Sequence, residues 1–311
     1  MARKNPPAPF DGLVIVDKPQ EWTSHDIVGK LRRLIGTRRV GHGGTLDPMA
    51  TGVLICGVGR ATKLLGMVAA SDKTYEATIR LGVSTTTDDA QGEVIKVQDA
   101  MQLGGAGVAA IESAIAGLSG QIMQRPSSVS AIKIDGQRAY KRVRDGEDVV
   151  LEARPVTVSE FAVLADRVVA TDEYGEPTAV LDLDVRVTCS TGTYIRALAR
   201  DLGDALGVGG HLTVLRRTRI GQYTLDSART LDELAESMTE IPLEVVCREL
   251  FVSWELNAEQ SSIYSHGGRL DWPLQLAVDA ELAVFDPAGR LLGLAAQKDG
   301  RLAPTVVWEP A

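Results

Sequence analysis

The chain has 311 residues, 44% apolar and 24% charged, which excludes a disordered, collagen-like or low-complexity polypeptide and leaves room for two globular domains. Its formal charge of -8 argues against a polyanion-binding surface spread over the whole molecule, yet residues 226–311 alone hold six basic and fifteen acidic groups. The first 225 residues are therefore about neutral, with basic clusters inside them.

Met1 to Phe10 has three prolines and no apolar core, and reads as a flexible tail. Leu13 to Val16 is a first strand, closed by Asp17-Lys18-Pro19. Ser24 can cap a helix whose apolar face is Ile27, Leu31, Leu34 and Ile35. Residues 53–58 form a short apolar run after a glycine-rich stretch, and Lys63 to Ala70 is expected to be helical. Tyr75, Ala77, Ile79 and Leu81 alternate with Glu76, Thr78 and Arg80, the pattern of a strand with one buried face.

Residues 108–118 predict a small-residue helix. Gln124 to Gly146 combines turn-prone residues and cations with little periodicity, and is expected to be an exposed arm. Ala179 to Cys189 gives the clearest strand, leading through Ser190-Thr191-Gly192 into a helix with Ile195, Leu198, Leu202 and Leu206 on one face. Leu212 to Ile220 is strand-like and carries Arg216, Arg217 and Arg219. Near residue 250 the composition favours a small β-rich second domain, with a hairpin signal at Leu282 to Phe285, Asp286-Pro287-Ala288-Gly289 and Leu291 to Ala295. No stretch approaches ~18 uninterrupted apolar residues. Cys56, Cys189 and Cys247 lack C-x-x-C spacing and read as buried thiols of a reducing compartment, so the cytoplasm is the expected location.

Chemistry concentrates in Gly41-His42-Gly43-Gly44-Thr45-Leu46-Asp47-Pro48-Met49-Ala50-Thr51-Gly52-Val53-Leu54-Ile55-Cys56-Gly57, where glycines allow sharp turns and close approach. Residues 30–63 hold seven basic groups around a single acid, Asp47. Taken singly, each candidate has a plain alternative. Asp47-Pro48 also fits a helix N-cap with proline at the first helical position. His42 could shuttle a proton or simply occupy a surface loop, and the four histidines show no metal-ligand spacing. Tyr75 could be core, and Arg196 a surface ion pair. Gly105 to Ala110 fits a loose dinucleotide pattern but lacks both a preceding strand and an acid about 20 residues on.

Taken together, the segments resemble the tRNA pseudouridine synthases of the TruB family. The stretch Gly41 to Leu54 is similar to that family's catalytic motif. Lys18-Pro19 with Thr23-Ser24, Asp72-Lys73-Thr74-Tyr75, Cys189-Ser190-Thr191-Gly192-Thr193-Tyr194-Ile195-Arg196, and Gly210-His211-Leu212 through Leu215-Arg216-Arg217 resemble its other motifs, in order and at family spacing over about residues 11–225. The likeness returns at Gly300-Arg301-Leu302-Ala303-Pro304.

The resemblance implies an α+β fold, with a mixed and mainly antiparallel central sheet flanked by helices, over residues 11–248. It also implies an RNA-gripping insertion at about 124–152 and a PUA-like β-rich domain over 249–311. The implied reaction isomerises uridine 55 in the T loop of tRNA to pseudouridine, with no cofactor and no metal. Asp47 would be the nucleophile, Arg196 its partner, and Tyr75 the residue that stacks on the flipped base and relays a proton. Lys18, His42, Tyr194, Leu215, Arg216 and Arg217 would contact RNA, with His42 filling the space the base vacates. The implied partner is the T arm of tRNA, bound by a monomer without membrane association. Val129 stands where relatives usually carry an aromatic ring. The competing reading is a tRNA-binding or folding factor without chemistry; a hydrolase of glycosidase type would need a second carboxylate near Asp47.

Overall fold

The structure, a computed structural model, describes residues 7–100, 107–127, 151–175, 178–273 and 280–308, with residue 277 and the backbone of 133–134 and 137–138. Most of the arm expected at 124–152, including Val129, lies outside the described residues.

Eight strands build the main sheet: β1 (Gly12–Lys18), β2 (Val40–Gly43), β3 (Thr51–Val58), β4 (Lys73–Leu81), β5 (Gly120–Gln124), β6 (Arg154–Thr171), β7 (Thr178–Cys189) and β8 (Gly210–Ile220). With two short additions the sheet has ten strands, and its main path runs Ile241–Pro242, β1, β3, β8, β4, β7, β6, β5. Neighbours are antiparallel except β3 and β8, which run parallel where Arg216 meets Thr51 and Arg217 meets Gly52. The expected mixed, mainly antiparallel sheet is what the chain forms.

Apolar runs in β1 and β3 are continuous because both sheet faces are covered. Val14, Val16, Leu54 and Cys56 pack with Ile27 and Leu31 on one side. Leu13, Ile15, Val53 and Ile55 pack on the other with Val246, Phe285 and Trp308, residues that lie far along the chain. The same holds for β4, whose Thr74 and Thr78 are buried beside the predicted apolar set.

Four helices bear on the site: α1 (Ser24–Ile35), α2 (Leu65–Ala70), α3 (Val108–Gly117) and α4 (Ile195–Ala205). Thr23, not Ser24, caps α1, through a reciprocal box with Asp26. Ser24 is instead buried and clamps Leu46, accepting from its amide at 2.9 Å and donating to its carbonyl at 3.2 Å. A 3-10 turn over Gly59–Leu64 precedes α2, so the first two residues of the predicted helix, Lys63 and Leu64, belong to that turn and the rest is α-helical.

A second, five-stranded sheet is built from Val252–Glu255, Leu270–Asp271, Leu282–Phe285, Leu291–Lys298 and Arg301–Val307. Its predicted hairpin forms, with the Asp286 carboxylate accepting from the amides of Ala288 and Arg290.

Candidate active site

Asp47 does not cap a helix. Residues 44–50 are loop and turn, closed by a hydrogen bond from the Ala50 amide to the Asp47 carbonyl at 3.1 Å, so the carboxylate has no helix end to serve. It accepts from Arg196 Nε at 2.9 Å instead. Arg196 sits in the first turn of α4 and is 4% exposed, while the Asp47 side chain stays 38% exposed. One member of the pair is fixed, the other meets solvent.

The fixing is thorough. Arg196 Nη1 donates to the Thr87 carbonyl at 2.8 Å and lies 3.5 Å from the Asp89 carboxylate. Asp89 in turn accepts from the Thr87 hydroxyl and the Gln91 amide. The guanidinium is thus oriented from two sides before it meets Asp47.

Around this pair lies a pocket lined by Gly44, Thr45, Leu46, Asp47, Lys73, Tyr75, Thr191 to Arg196, Leu215 and Arg217. Tyr75 comes from β4, Leu215 and Arg217 from β8, and Tyr194 precedes α4. Burial pushes the Tyr75 phenol pKa up, with the Arg217 guanidinium opposing the shift. Tyr194 is held through its backbone: its amide donates to Gln124 Oε1 at 2.8 Å and its carbonyl accepts from Gln124 Nε2 at 3.0 Å. Gln124, expected to begin an exposed arm, closes β5 and is 2% exposed.

Arg217 lies differently from a phosphate contact. It is 1% exposed, and its guanidinium donates to the carbonyls of Val53, Thr45 and Gly44. It frames the loop from behind. Gly52 makes this possible: at φ 98° it pairs with Arg217, and a Cβ there would meet the Arg217 carbonyl oxygen at 2.2 Å. Arg216 faces elsewhere, paired to Asp17 at 2.7 Å and within 3.2 Å of the Thr51 hydroxyl, and does not line the pocket.

Lys18 is fully buried, with Nζ donating to the carbonyls of Pro19, Trp22 and Pro48; burial brings its pKa down to about 8. It holds the Asp47-Pro48 turn rather than lining the pocket. His42 is half-buried on β2, edge-on to His25 with ring centroids 6.3 Å apart, and its Nδ1 is buried without a hydrogen-bond partner. Burial, His25 and Arg217 together lower its pKa, which favours a neutral ring.

Comparison with known proteins decides the family. The model of the TruB family pseudouridylate synthase N-terminal domain matches residues 32–195, and that of the tRNA pseudouridylate synthase B C-terminal domain matches 196–250. The chain belongs to the TruB family of pseudouridylate synthases. Relatives called tRNA pseudouridine synthase B from Streptomyces avermitilis and Thermobifida fusca are 55% and 53% identical; each alignment covers 96% of this chain, and 97% and 98% of theirs. In fold the chain is similar to a protein in an H/ACA RNP bound to a substrate RNA containing 2'-deoxyuridine. That likeness has a TM-score of 0.65 at 24% identity, over 96% of this chain and 85% of that one. A chain of a Cbf5-Nop10-Gar1 complex gives 0.64 at 23%, over 99% and 92%.

Against the family motifs, sequence reasoning missed four residues that build this TruB-family pocket. Asp89 and Gln124 carry no local pattern to mark them, being single polar residues that act across the fold. Lys73 stood inside a recognised motif without an assigned task, and Ser24 was expected to cap a helix rather than to hold Leu46. Among the described residues no His/Cys/Asp/Glu cluster could hold a metal ion, and no helix is long and apolar enough to cross a membrane.

Proposed function

We propose that this enzyme converts uridine 55 in the T loop of tRNA to pseudouridine, with Asp47 as the nucleophile. The observation that carries the reading is the asymmetry of the Asp47–Arg196 pair, in which a buried, doubly anchored guanidinium presents a half-exposed carboxylate to the pocket. Such a carboxylate is oriented before substrate arrives, so little reorganisation is needed when it attacks.

The reaction breaks the bond from N1 to C1′ and makes one from C5 to C1′. Attack by Asp47 forms a covalent intermediate and splits one hard displacement into two easier ones. In one route a carboxylate oxygen bonds to C1′ as the N1–C1′ electron pair passes to the uracil ring; in the other it bonds to C6 as the C5=C6 π pair moves onto O4, and the N1–C1′ bond breaks in the following step. The base then turns, C5 bonds to C1′, Asp47 is released, and C5 loses its proton. Tyr75, a neutral phenol at pH 7, is suited to stack on the ring and to relay that proton.

The target nucleotide must leave its stack to reach the pocket. His42, held neutral beside the glycines of β2, is the residue we assign to fill the vacated space, and the T arm is the RNA element we assign to this surface. The protein acts as a cytoplasmic monomer in this reading, with residues 249–311 as a PUA-like domain.

Release of tritium from C5 of T-loop uridine in unmodified tRNA tests the proposal, comparing the parent with Asp47→Ala. Release by the parent alone is expected. Equal release by both refutes the nucleophile, and none by either, with tRNA still bound, leaves a binding factor.

A further inference from the structure

Among the described residues, two cations at this pocket form no ion pair with a carboxylate, though Asp72 acts on Lys73 at longer range. Lys73 is 6% and Arg217 1% exposed, and both line the cavity beside Tyr75. The ion pairs nearby are taken: Asp47 and Asp89 join Arg196, Asp88 joins Arg200, and Asp17 joins Arg216. Among the described residues Lys73 Nζ donates only to the carbonyls of Ala69 and Ser71, each at 2.8 Å, while Arg217 holds the three loop carbonyls and meets the Tyr75 phenol. An ammonium has three donors, so two carbonyls leave one to spare. The two side chains are close, since a Cβ built on Gly44 would lie 3.6 Å from both Lys73 Cε and Arg217 Nη1.

Buried like charges without counter-ions are costly unless something compensates them. Carbonyl dipoles compensate in part, yet burial and Arg217 still bring the Lys73 pKa down to about 8. Loop support does not require that cost. Arg217 already brackets Gly44 and Thr45, and the two carbonyls that Lys73 meets belong to its own approach to β4.

We infer that Lys73, seconded by Arg217, faces the substrate base and stabilises the negative charge that the uracil ring acquires when Asp47 attacks. The inference rests on the proposed reaction but not on which carbon is attacked. Attack at C1′ leaves the N1–C1′ pair on the ring as a uracil anion; attack at C6 leaves an enolate at O4. Either way the ring becomes negative next to a wall that already carries positive charge and needs no rearrangement to answer it. The charge returns when C5 bonds to C1′ and the ring takes up its neutral form.

The test compares RNA carrying uridine or 5-fluorouridine at the target position, in single turnovers followed by nucleoside analysis, with the RNA dissociation constant measured alongside. Fluorine draws electrons and lets the ring bear negative charge with less help. Lys73→Met should consume uridine about 100-fold more slowly than the parent, while losing less than about tenfold on 5-fluorouridine, with RNA binding within about twofold. Lys73→Arg, which keeps the charge, should recover most of the rate on both. Equal losses on the two bases, or a loss lying wholly in RNA affinity, would overturn the assignment. If Lys73→Met does not fold, Lys73→Arg decides: near-parental rates on both bases support a role for the charge, and equal defects on both refute it. An Asp47→Ala enzyme that still turned over would defeat the underlying reaction instead, whatever Lys73 does.

Discussion

The two ends of β4 handle largely enclosed arginines in opposite ways. At the Arg80 end, charge is matched by charge: Asp182 on the neighbouring β7 takes Nε at 2.8 Å and Nη2 at 3.0 Å, and Tyr174 takes Nη1. At the Tyr75 end, across the β4–β8 ladder, Arg217 meets backbone carbonyl oxygens and the Tyr75 phenol, and among the described residues the nearby carboxylates pair with other cations. The first arrangement is closed and serves the fold. The second holds unspent positive charge around a cavity, which suits a site that waits for a substrate.

The sharpest way to break this contrast is Asp47→Asn, which keeps the shape of the loop and removes the nucleophilic oxygen. Turnover should fall by at least about 10⁴-fold while the dissociation constant for tRNA stays within a few-fold. An active variant would make the Tyr75 end another structural charge cluster.

Arg217→Met comes next. Removing the guanidinium leaves the carbonyls of Val53, Thr45 and Gly44 without their donor and lets the Asp47 loop drift. A shift of about 1 Å in a reacting group can cost about 100-fold in rate, so a loss of that order is expected in kcat with a smaller change in KM. Steady-state kinetics on T-arm RNA would measure it, and an unchanged kcat would mean that Arg217 frames nothing the reaction needs.

Asp182→Ala probes the closed end. It strands Arg80, 16% exposed at its side chain, beside a position that was 5% exposed. Removing one partner of such a pair costs about 3 kcal/mol, discounted slightly for the partial exposure of Arg80. Thermal unfolding should shift down by several degrees while turnover at 25 °C stays parental, and a loss of turnover without a loss of stability would erase the distinction between the ends.

The same contrast marks how far the sequence could be read. Strands β1, β4, β7 and β8 were legible because their apolar residues run or alternate over four residues or more, and that signal is local. The pocket was legible through motifs, which group Asp47, Tyr75 and Arg196 without stating their distances. Side chains that act through backbone atoms were not legible. Ser24 and Thr23 are both good caps, and only the position of Leu46, 22 residues on, decides which of them serves the helix. Gln124 looked like the start of an arm because nothing near it announces that Tyr194, 70 residues away, needs both an acceptor and a donor. Arg216 and Arg217 are adjacent cations, and strand alternation sends one to Asp17 and the other behind the Asp47 loop.

The smallest expected effect lies beside Asp182. Burial alone would raise the Asp184 pKa, but hydrogen bonds from Thr78 and Arg167 outweigh it and hold the carboxyl below its ordinary 3.8. A folded-state pKa below the unfolded one means that the ionised form stabilises the fold above pH 3.8, and that this contribution is lost as pH falls through the folded value. Asp184 and Arg167 are 36% and 49% exposed at their side chains, so solvent screening keeps the contribution below about 1 kcal/mol. Asp184→Asn should lower the melting temperature slightly at pH 7 and converge with the parent once the pH has fallen through the lowered folded-state value, with no change in turnover. A gap that stayed constant across that range would place the carboxylate's effect in packing rather than charge, and the Arg80 end would then be less electrostatic than its geometry implies.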